Sequence, residues 1–289
     1  MPQLALVLTT LVWGATFPAT KAVLEQLPPF SFLVLRFLLG TVLVLGVLLA
    51  LGRRLRLDRN MLRMSAIASA FLFLGYTTQT VGLRYTTASN SAFITALYVI
   101  FVPLFLRRFG LRIWVSAGLA LAGLWFLVNP TVSLNQGDLL NLACAAAFGA
   151  HIACLERYTR RGDTVSLFVW QLVIVTAVMI PGMIVESPQP ARFAPTALLL
   201  VTLTITGVLA TGAFAVQMWV QQVVPAQRVA LIFSFEPVFA AWLAWYFLGE
   251  HLDPTGWLGS GLILIAVLLG TTGQAVTKVT EPVGSPQIG

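Results

Sequence analysis

The sequence predicts an all-α membrane protein with ten transmembrane helices, arranged as two inverted five-helix repeats. Three observations lead to this fold class: the composition, the length of the apolar stretches, and an internal duplication. Of the 289 residues, 58% are hydrophobic and 9% are charged. That leaves too little polar surface for a soluble globule of this size.

The apolar stretches have the length that membrane helices need. A hydrocarbon core of about 30 Å requires roughly 17 to 25 apolar residues in a helix. Ten stretches qualify: 4–24, 31–51, 62–83, 89–106, 112–129, 138–155, 166–185, 196–221, 229–248 and 256–275. Because the connections are short, we expect no soluble domain. We expect a first repeat at 1–135, a second at 136–275, and a disordered cytoplasmic tail at 276–289.

The two halves align with each other at an offset that grows slowly where loops intervene. Each half contains five predicted spans, and an odd number forces the second copy to enter the membrane from the opposite face. The duplication therefore predicts an inverted repeat. Aligned pairs include Gly14 with Gly149 at an offset of 135, Gln79 with Gln217 at 138, and Trp114 with Trp257 at 143.

The net charge of +7 is distributed as in a membrane protein, and we expect no nucleic-acid partner. Acidic residues prevail in the opposite loops, so the positive-inside rule predicts that both termini are cytoplasmic. On the basic side lie 13 of the 17 Lys and Arg residues: Arg53, Arg54, Arg56, Arg59, Arg63, Arg107, Arg108, Arg112, Arg157, Arg160, Arg161, Arg228 and Lys278. The opposite loops carry Glu25, Asp138, Glu186, Glu250 and Asp253.

Polar and aromatic side chains in the middle of the spans are the candidate functional residues, since an apolar helix does not need them. On the first span, Trp13 and Thr16 share one helical face. If such faces converge, Trp and Tyr supply stacking area and Gln and Thr supply donors and acceptors. The alternative is that these groups only connect neighbouring helices. The predicted substrate-binding residues are Trp13, Thr16, Tyr76, Gln79, Thr95, Tyr98, His151 and Gln217.

Two ionisable residues are candidates for proton coupling or gating. Glu236 lies inside the ninth span and precedes Pro237, which removes a backbone donor. It either carries a proton or makes a structural bond beside the kink. Arg36 either has a structural role near the outer end of the second span or recognises a substrate carboxylate. For His151, which titrates near neutral pH without help, both a hydrogen-bonding role and a proton relay stay open.

Several motifs resemble a known family over essentially the whole chain. They are Trp13-Gly14-Ala15-Thr16-Phe17-Pro18, Leu35-Arg36-Phe37, Arg84-Tyr85-Thr86-Thr87-Ala88, and Glu236-Pro237-Val238-Phe239-Ala240-Ala241 with Leu248-Gly249-Glu250. This pattern resembles the EamA repeats of the drug/metabolite transporter superfamily, and within it the aromatic amino-acid exporters of the YddG type. The resemblance implies a ten-helix carrier in a bacterial inner membrane with cytoplasmic termini. The chain departs from a symmetric pattern at Tyr98-Val99, which occupies the place of Glu236-Pro237.

The sequence therefore predicts an alternating-access transporter that exports amino acids, aromatic or otherwise apolar, through a central cavity between the repeats. The alternatives are another small metabolite or drug, such as a sugar, nucleoside or cationic compound, and uptake rather than export. We expect a small-molecule substrate and membrane lipid as partners, a monomer or homodimer, and no cofactor or metal. An enzyme is disfavoured because zinc-protease, nucleophile-elbow and phosphate-loop motifs are lacking. A passive channel stays a further alternative.

Overall fold

The computed structural model describes residues 2–128, 135–160, 162–249 and 254–271. Within these ranges the secondary structure is helical and contains no β-strand. The all-α prediction is therefore confirmed for the described part of the chain. The predicted tail at 276–289 and the loop residues Arg161, Glu250, Asp253 and Lys278 lie outside it.

The helices follow the predicted spans to within a few residues. The first half contains α1 (Pro2–Val23), α2 (Pro29–Ala50), α3 (Arg59–Gly82), α4 (Ala88–Thr95), α5 (Tyr98–Phe105) and α6 (Leu111–Val128). The second half contains α7 (Gln136–Tyr158), α8 (Thr164–Glu186), a 3-10 turn (Pro190–Phe193), α9 (Ala197–Leu203), a π-helical segment (Thr204–Leu209), α10 (Ala210–Val220), α11 (Ala226–Phe233), α12 (Glu236–Leu248) and α13 (Pro254–Thr271).

Seven helical segments of the described chain are long and apolar enough to cross a membrane. They are Pro2–Val23, Pro29–Ala50, Ala88–Phe105, Gln136–Tyr158, Thr164–Glu186, Ala197–Val220 and Ala226–Leu248. Two shorter apolar helices lie within α6 and α13. The remaining predicted span, α3, has 24 residues and carries Arg59 and Arg63 near its start. The protein is thus a multi-helix membrane protein, and the count of ten spans stays a prediction.

Side-chain caps fix where several helices begin. Asp58 accepts from the backbone N–H of Met61 at the start of α3, and this hydrogen bond, together with one from Arg56, lowers the pKa of the Asp58 carboxyl. Asn135 and Asp138 form a reciprocal capping box on α7. Each cap satisfies backbone donors that a helix start leaves without an intrahelical partner.

Two pairs of helices from opposite halves pack antiparallel. At the start of α2, the Ser31 backbone N–H donates to Glu186 at the end of α8, over 2.8 Å. Arg112 at the start of α6 donates to the carbonyl of Leu269 near the end of α13. Further along α6, a Cβ added to Gly123 would lie 2.7 Å from the Gly259 carbonyl oxygen. The start of one helix thus meets the end of the other in both pairs.

The core consists of two large apolar clusters that meet in the centre of the molecule. One is built around α4, α5, α11 and α13, and the other around α2, α3 and α8. Trp13 of α1 and Phe148 of α7 pack against both clusters. These two side chains therefore lie where the two clusters meet, and the candidate site lies there.

Candidate functional site

A central cavity of about 50 Å³ lies between helices of both halves. Helices α1, α3, α4 and α5 contribute from the first half, and α7, α10, α11 and α12 from the second. The lining residues are Trp13, Thr16, Leu72, Tyr76, Gln79, Thr95, Tyr98, Phe148, His151, Ile152, Phe214, Gln217, Phe233 and Glu236.

The structure brings all eight predicted substrate-binding residues to this cavity, together with Glu236. Arg36 is not among the lining residues. Five apolar lining residues are not among the predicted substrate-binding residues: Leu72, Phe148, Ile152, Phe214 and Phe233. For two of them a signal existed, because Phe148 precedes His151 by three residues and Phe214 precedes Gln217 by three, which places each pair on one helical face.

Aromatic rings form much of the wall. The rings of Trp13 and Phe233 meet edge to face with centroids 4.9 Å apart. The Tyr76 ring stands between Phe37 at 4.9 Å and Phe148 at 5.1 Å, also edge to face. This geometry is favourable for aromatic pairs. It holds the rings in fixed orientations along the cavity wall.

Amide and hydroxyl groups provide polar contacts on the same wall. The Gln79 Nε2 donates to the Thr95 hydroxyl oxygen over 3.3 Å. The Gln217 Nε2 donates to Gln221 Oε1 over 2.9 Å, and Gln221 in turn donates to the carbonyl of Ile152. These hydrogen bonds orient both glutamines and leave Gln79 Oε1 and further lone pairs for other donors.

His151 is held by a partner outside the cavity lining. Its Nε2 lies 2.8 Å from Gln171 Oε1. Because Gln171 Nε2 donates to the carbonyl of Leu167, the Gln171 oxygen is left to accept, and the His151 Nε2 must carry the hydrogen. The geometry therefore matches the hydrogen-bonding alternative for His151.

Arg36 lies behind the cavity wall, next to the ring of Tyr76. Its side chain is buried, with 4% of the residue exposed. The guanidinium carbon is 4.6 Å from the Tyr76 ring centroid, 5.2 Å from that of Phe37 and 5.9 Å from that of Phe32. Such contacts offset part of the cost of burying a cation. Among the described residues, no carboxylate oxygen lies within 4 Å of it.

Glu236 contacts a residue of the opposite half. The Tyr98 hydroxyl oxygen lies 3.0 Å from Glu236 Oε2 and 2.9 Å from the carbonyl oxygen of Phe233. Glu236 is 7% exposed and is the first residue of α12. The break between α11 and α12 and the start of α5 are therefore connected by a single phenol group.

Polar contacts also join the far ends of α1 and α7 to neighbouring helices. The Lys21 ammonium donates to the carbonyls of Leu83 and Thr86, over 2.7 and 2.9 Å. Near the other side, the Glu156 carboxylate accepts from the Ala226 backbone N–H over 2.9 Å and pairs with Arg108 over 2.7 Å. The cavity lies between these two sets of contacts along the helices.

Two stretches of the chain, 1–129 and 135–272, match the EamA-like transporter family. An uncharacterized transporter of Archaeoglobus fulgidus is 35% identical over 92% of this chain and 84% of its own length. The uncharacterized transporter YoaV of Bacillus subtilis is 25% identical, over 93% and 96%. The uncharacterized inner membrane transporter YedA of Escherichia coli K12 is 27% identical, over 96% and 92%.

A solved crystal structure has a similar fold. It superposes with a TM-score of 0.75 at 16% sequence identity, covering 93% of this chain and 97% of the other. At this identity the similarity concerns the fold alone. The relatives' names specify neither a substrate nor a direction of transport.

Proposed function

We propose that this chain, which belongs to the EamA-like transporter family, is an alternating-access carrier that exports amino acids, chiefly aromatic or otherwise apolar ones. The observation that carries the proposal is the chemistry of the central cavity. Aromatic rings and amide groups from both halves line it, and Glu236 is the one acidic residue among them. Such a lining suits a zwitterion or neutral molecule with a ring-shaped or apolar side group.

Contacts between aligned residues support the proposed inverted repeats. Thr41 and Thr176, which are 135 positions apart, have hydroxyl oxygens 3.1 Å from each other. Tyr98 and Glu236, which align at an offset of 138, are hydrogen-bond partners. Two equivalent residues touch each other only near an axis that relates them, so these contacts favour a pseudo-two-fold axis.

The alignment of the two halves also converts one glycine contact into another. A Cβ on Gly14 would lie 2.8 Å from the Phe239 Cβ, and a Cβ on Gly149 would lie 2.7 Å from the Phe101 Cβ. Gly14 aligns with Gly149 and Phe101 with Phe239. The antiparallel packing of α2 with α8 and of α6 with α13, and one family match in each half, give further support for ten spans in repeats at 1–135 and 136–275.

The size of the cavity supports a moving carrier. A buried water needs roughly 10–15 Å³, so about 50 Å³ accommodates a few waters. Small-molecule pockets typically measure roughly 300–1,000 Å³. The structure thus corresponds to a contracted state, and substrate entry requires the helices around the cavity to separate.

We place the protein in a bacterial inner membrane with both termini in the cytoplasm. The E. coli relative is named as an inner membrane transporter, and the basic residues favour this orientation by the positive-inside rule. A monomer or homodimer is proposed.

The amide groups of the cavity also favour a second substrate class. Gln79 and Gln217, next to aromatic rings, offer paired donors and acceptors that would also suit a nucleoside or sugar. A strongly anionic substrate is disfavoured because the lining contains no Lys or Arg.

Transport from proteoliposomes tests the proposal. Vesicles with the purified full-length protein are loaded with a panel of amino acids, sugars and nucleosides, and efflux is measured with and without a pH gradient. We expect selective efflux and counterflow of aromatic amino acids, since counterflow distinguishes a carrier from a passive channel. Selective efflux of sugars or nucleosides alone would contradict the amino-acid assignment.

Paired variants test the cavity. We expect Trp13→Ala and Gln79→Ala to reduce transport at least tenfold, because a lost aromatic contact or a lost fixed donor costs on the order of 1.4 kcal/mol or more. The matched controls are Trp125→Ala and Gln189→Ala, whose side chains are exposed outside the cavity. If both cavity variants fold and transport as the parent does, these residues do not bind substrate.

A further inference from the structure

We propose that Glu236, Tyr98 and the carbonyl of Phe233 form a proton-binding site at the break between α11 and α12. In this site the neutral Glu236 carboxyl donates to the Tyr98 oxygen while Tyr98 donates to Phe233. The inference rests on the proposed transport function only for the coupling of this proton to substrate movement.

Pro237 leaves the carbonyl of Phe233 without its usual helical donor. In a regular α-helix the backbone N–H of residue 237 would donate to the carbonyl of residue 233. Proline has no N–H, so Phe233 cannot receive that hydrogen bond. The Tyr98 hydroxyl, 2.9 Å from this carbonyl oxygen, is the replacement donor. The helix break is therefore tied to a side chain of the opposite half.

A phenol carries one hydrogen, and here it faces two acceptors. A carbonyl oxygen and a carboxylate only accept, yet Tyr98 lies within hydrogen-bond distance of Phe233 O and of Glu236 Oε2. An ionised carboxylate would have to share the single phenol hydrogen with the carbonyl, whereas a Glu236 carboxyl that carries a proton and donates it to the phenol oxygen gives each contact its own hydrogen. The two distances therefore favour a proton-loaded site.

The surroundings favour the same state. Glu236 is buried, and among the described residues no Lys, Arg or His nitrogen lies within 4 Å of its carboxylate. A buried carboxylate with one neutral donor is costly. The other titratable or charged groups around the cavity have partners elsewhere: Cys144 contacts Thr95, His151 contacts Gln171, and Arg36 lies behind the ring of Tyr76.

Loss of the proton from Glu236 would weaken the connection between α11 and α12. An ionised carboxylate attracts the phenol hydrogen more strongly than a carbonyl does, because charge-assisted hydrogen bonds are stronger. The Phe233 carbonyl then loses its donor in an apolar environment, which loosens the connection between α11 and α12. Since the Phe233 ring packs on Trp13, this movement reaches the cavity wall.

Within its described residues, the first half has no equivalent of this site at the break between α4 and α5. At the aligned break between α4 and α5 stands Val99, whose backbone N–H is present and donates to Ala96. Tyr98 occupies the position that aligns with Glu236. We therefore expect about one proton per chain.

Infrared difference spectroscopy on the purified protein, without substrate, tests the site. We expect the C=O stretch of a neutral carboxylic acid at neutral pH, its loss as the pH is raised, and its absence in Glu236→Gln. Tyr98→Phe should retain the band at a higher frequency, because the acid loses its hydrogen-bond acceptor. Glu25→Gln, an exposed residue, is the control that leaves the band unchanged.

Two results would overturn the inference: a parent protein without the acid band at neutral pH, or a band that persists in Glu236→Gln. If Glu236→Gln does not fold, the frequency shift in Tyr98→Phe decides the assignment. In proteoliposomes, the ratio of efflux with and without a pH gradient should fall toward one in both variants. If the parent protein shows no counterflow, the proposed transport function is wrong. The infrared result does not depend on transport and would still decide whether the proton-binding site exists.

Discussion

Gly14 and Gly149 set how closely α1 and α7 approach the broken helices around the cavity. A Cβ on Gly14 would lie 2.9 Å from the carbonyl oxygen of Glu236 and 2.8 Å from the Phe239 Cβ. Neither obstacle is the end of a flexible side chain, so the backbone would have to move. In lipid, where apolar burial does not favour one helix contact over another, such close approach is a main source of helix association.

We therefore predict that Gly14→Ala lowers stability by about 1–3 kcal/mol, the usual cost of overpacking. The measurement is thermal unfolding in detergent. Gly46→Ala is the matched control, because an added Cβ there meets nothing within 4 Å, and alanine favours the helix by up to about 1 kcal/mol. Equal stability of Gly14→Ala and the parent would mean that α1 and α12 are not packed as described.

The cavity lining shows what a residue pattern can predict in a membrane protein. Trp13, Gln79 and Gln217 stood out because a polar or amphipathic side chain in an apolar helix is unusual. Phe233 carried no such signal, since phenylalanine is common on every face of a membrane helix. The enclosure of Arg36 by aromatic rings depends on α2 and α3 packing together, which the sequence of either helix alone does not determine.

At the scale of helices, the lengths of the apolar stretches predicted where the spans lie. Three of the described spans are interrupted by a break or a π-helical segment, and only one of these interruptions is marked by a proline in the sequence. Pro237 indicates the break before α12. The break after Thr95 has no proline next to it, and the π-helical segment Thr204–Leu209 contains only Gly207. A Cβ on Gly207 would lie 3.1 Å from the carbonyl oxygen of Arg36, so the irregular backbone coincides with a tertiary contact that local sequence does not encode.

The contact between Arg108, Glu156 and the start of α11 joins α7 and α11 to the loop between α5 and α6, at one end of the cavity. Arg108 binds both carboxylate oxygens of Glu156, over 3.2 and 2.7 Å, and Glu156 also accepts from Ala226. Glu156 is nearly buried, whereas 35% of the Arg108 side chain is exposed. The pair should therefore be worth more than a surface ion pair and less than a fully buried one.

We predict that Glu156→Arg or Arg108→Glu alone destabilises the protein by about 1–3 kcal/mol and impairs transport. The double variant, Glu156→Arg with Arg108→Glu, should recover part of the lost stability and part of the lost transport. It restores the attraction between the two side chains but not the hydrogen bond to Ala226. Thermal unfolding and efflux from proteoliposomes are the measurements. Arg160→Glu is the control, because Arg160 is exposed and lies 4.0 Å from Glu156. An additive double variant would show that the pair does not act as a unit.

At the scale of the whole molecule, the proposed pseudo-two-fold axis would divide the contacts between helices into two kinds. In an inverted-repeat carrier the opposite-facing state arises when the two repeats exchange conformations. A contact between equivalent residues, such as Thr41 with Thr176, is converted into itself by that exchange and is kept in both states. A contact between non-equivalent residues, such as Glu156 with Ala226, would be converted by the exchange into the contact geometry of a different pair, here Lys21 with Ala88, so the exchange does not require it to be kept in both states.

This difference gives a prediction for cross-linking. In a chain with Cys144 and Cys154 replaced by alanine, Thr41→Cys with Thr176→Cys should tolerate a short thiol cross-link and keep most of its transport. Glu156→Cys with Ala226→Cys, treated with the same reagent, should lose transport at least tenfold, because the link holds the ends of α7 and α11 together in both states. Each double variant without reagent serves as its own control for the substitutions. Inhibition of both pairs alike would contradict the exchange of conformations between repeats, and unchanged transport in both would mean that this end of the molecule does not open.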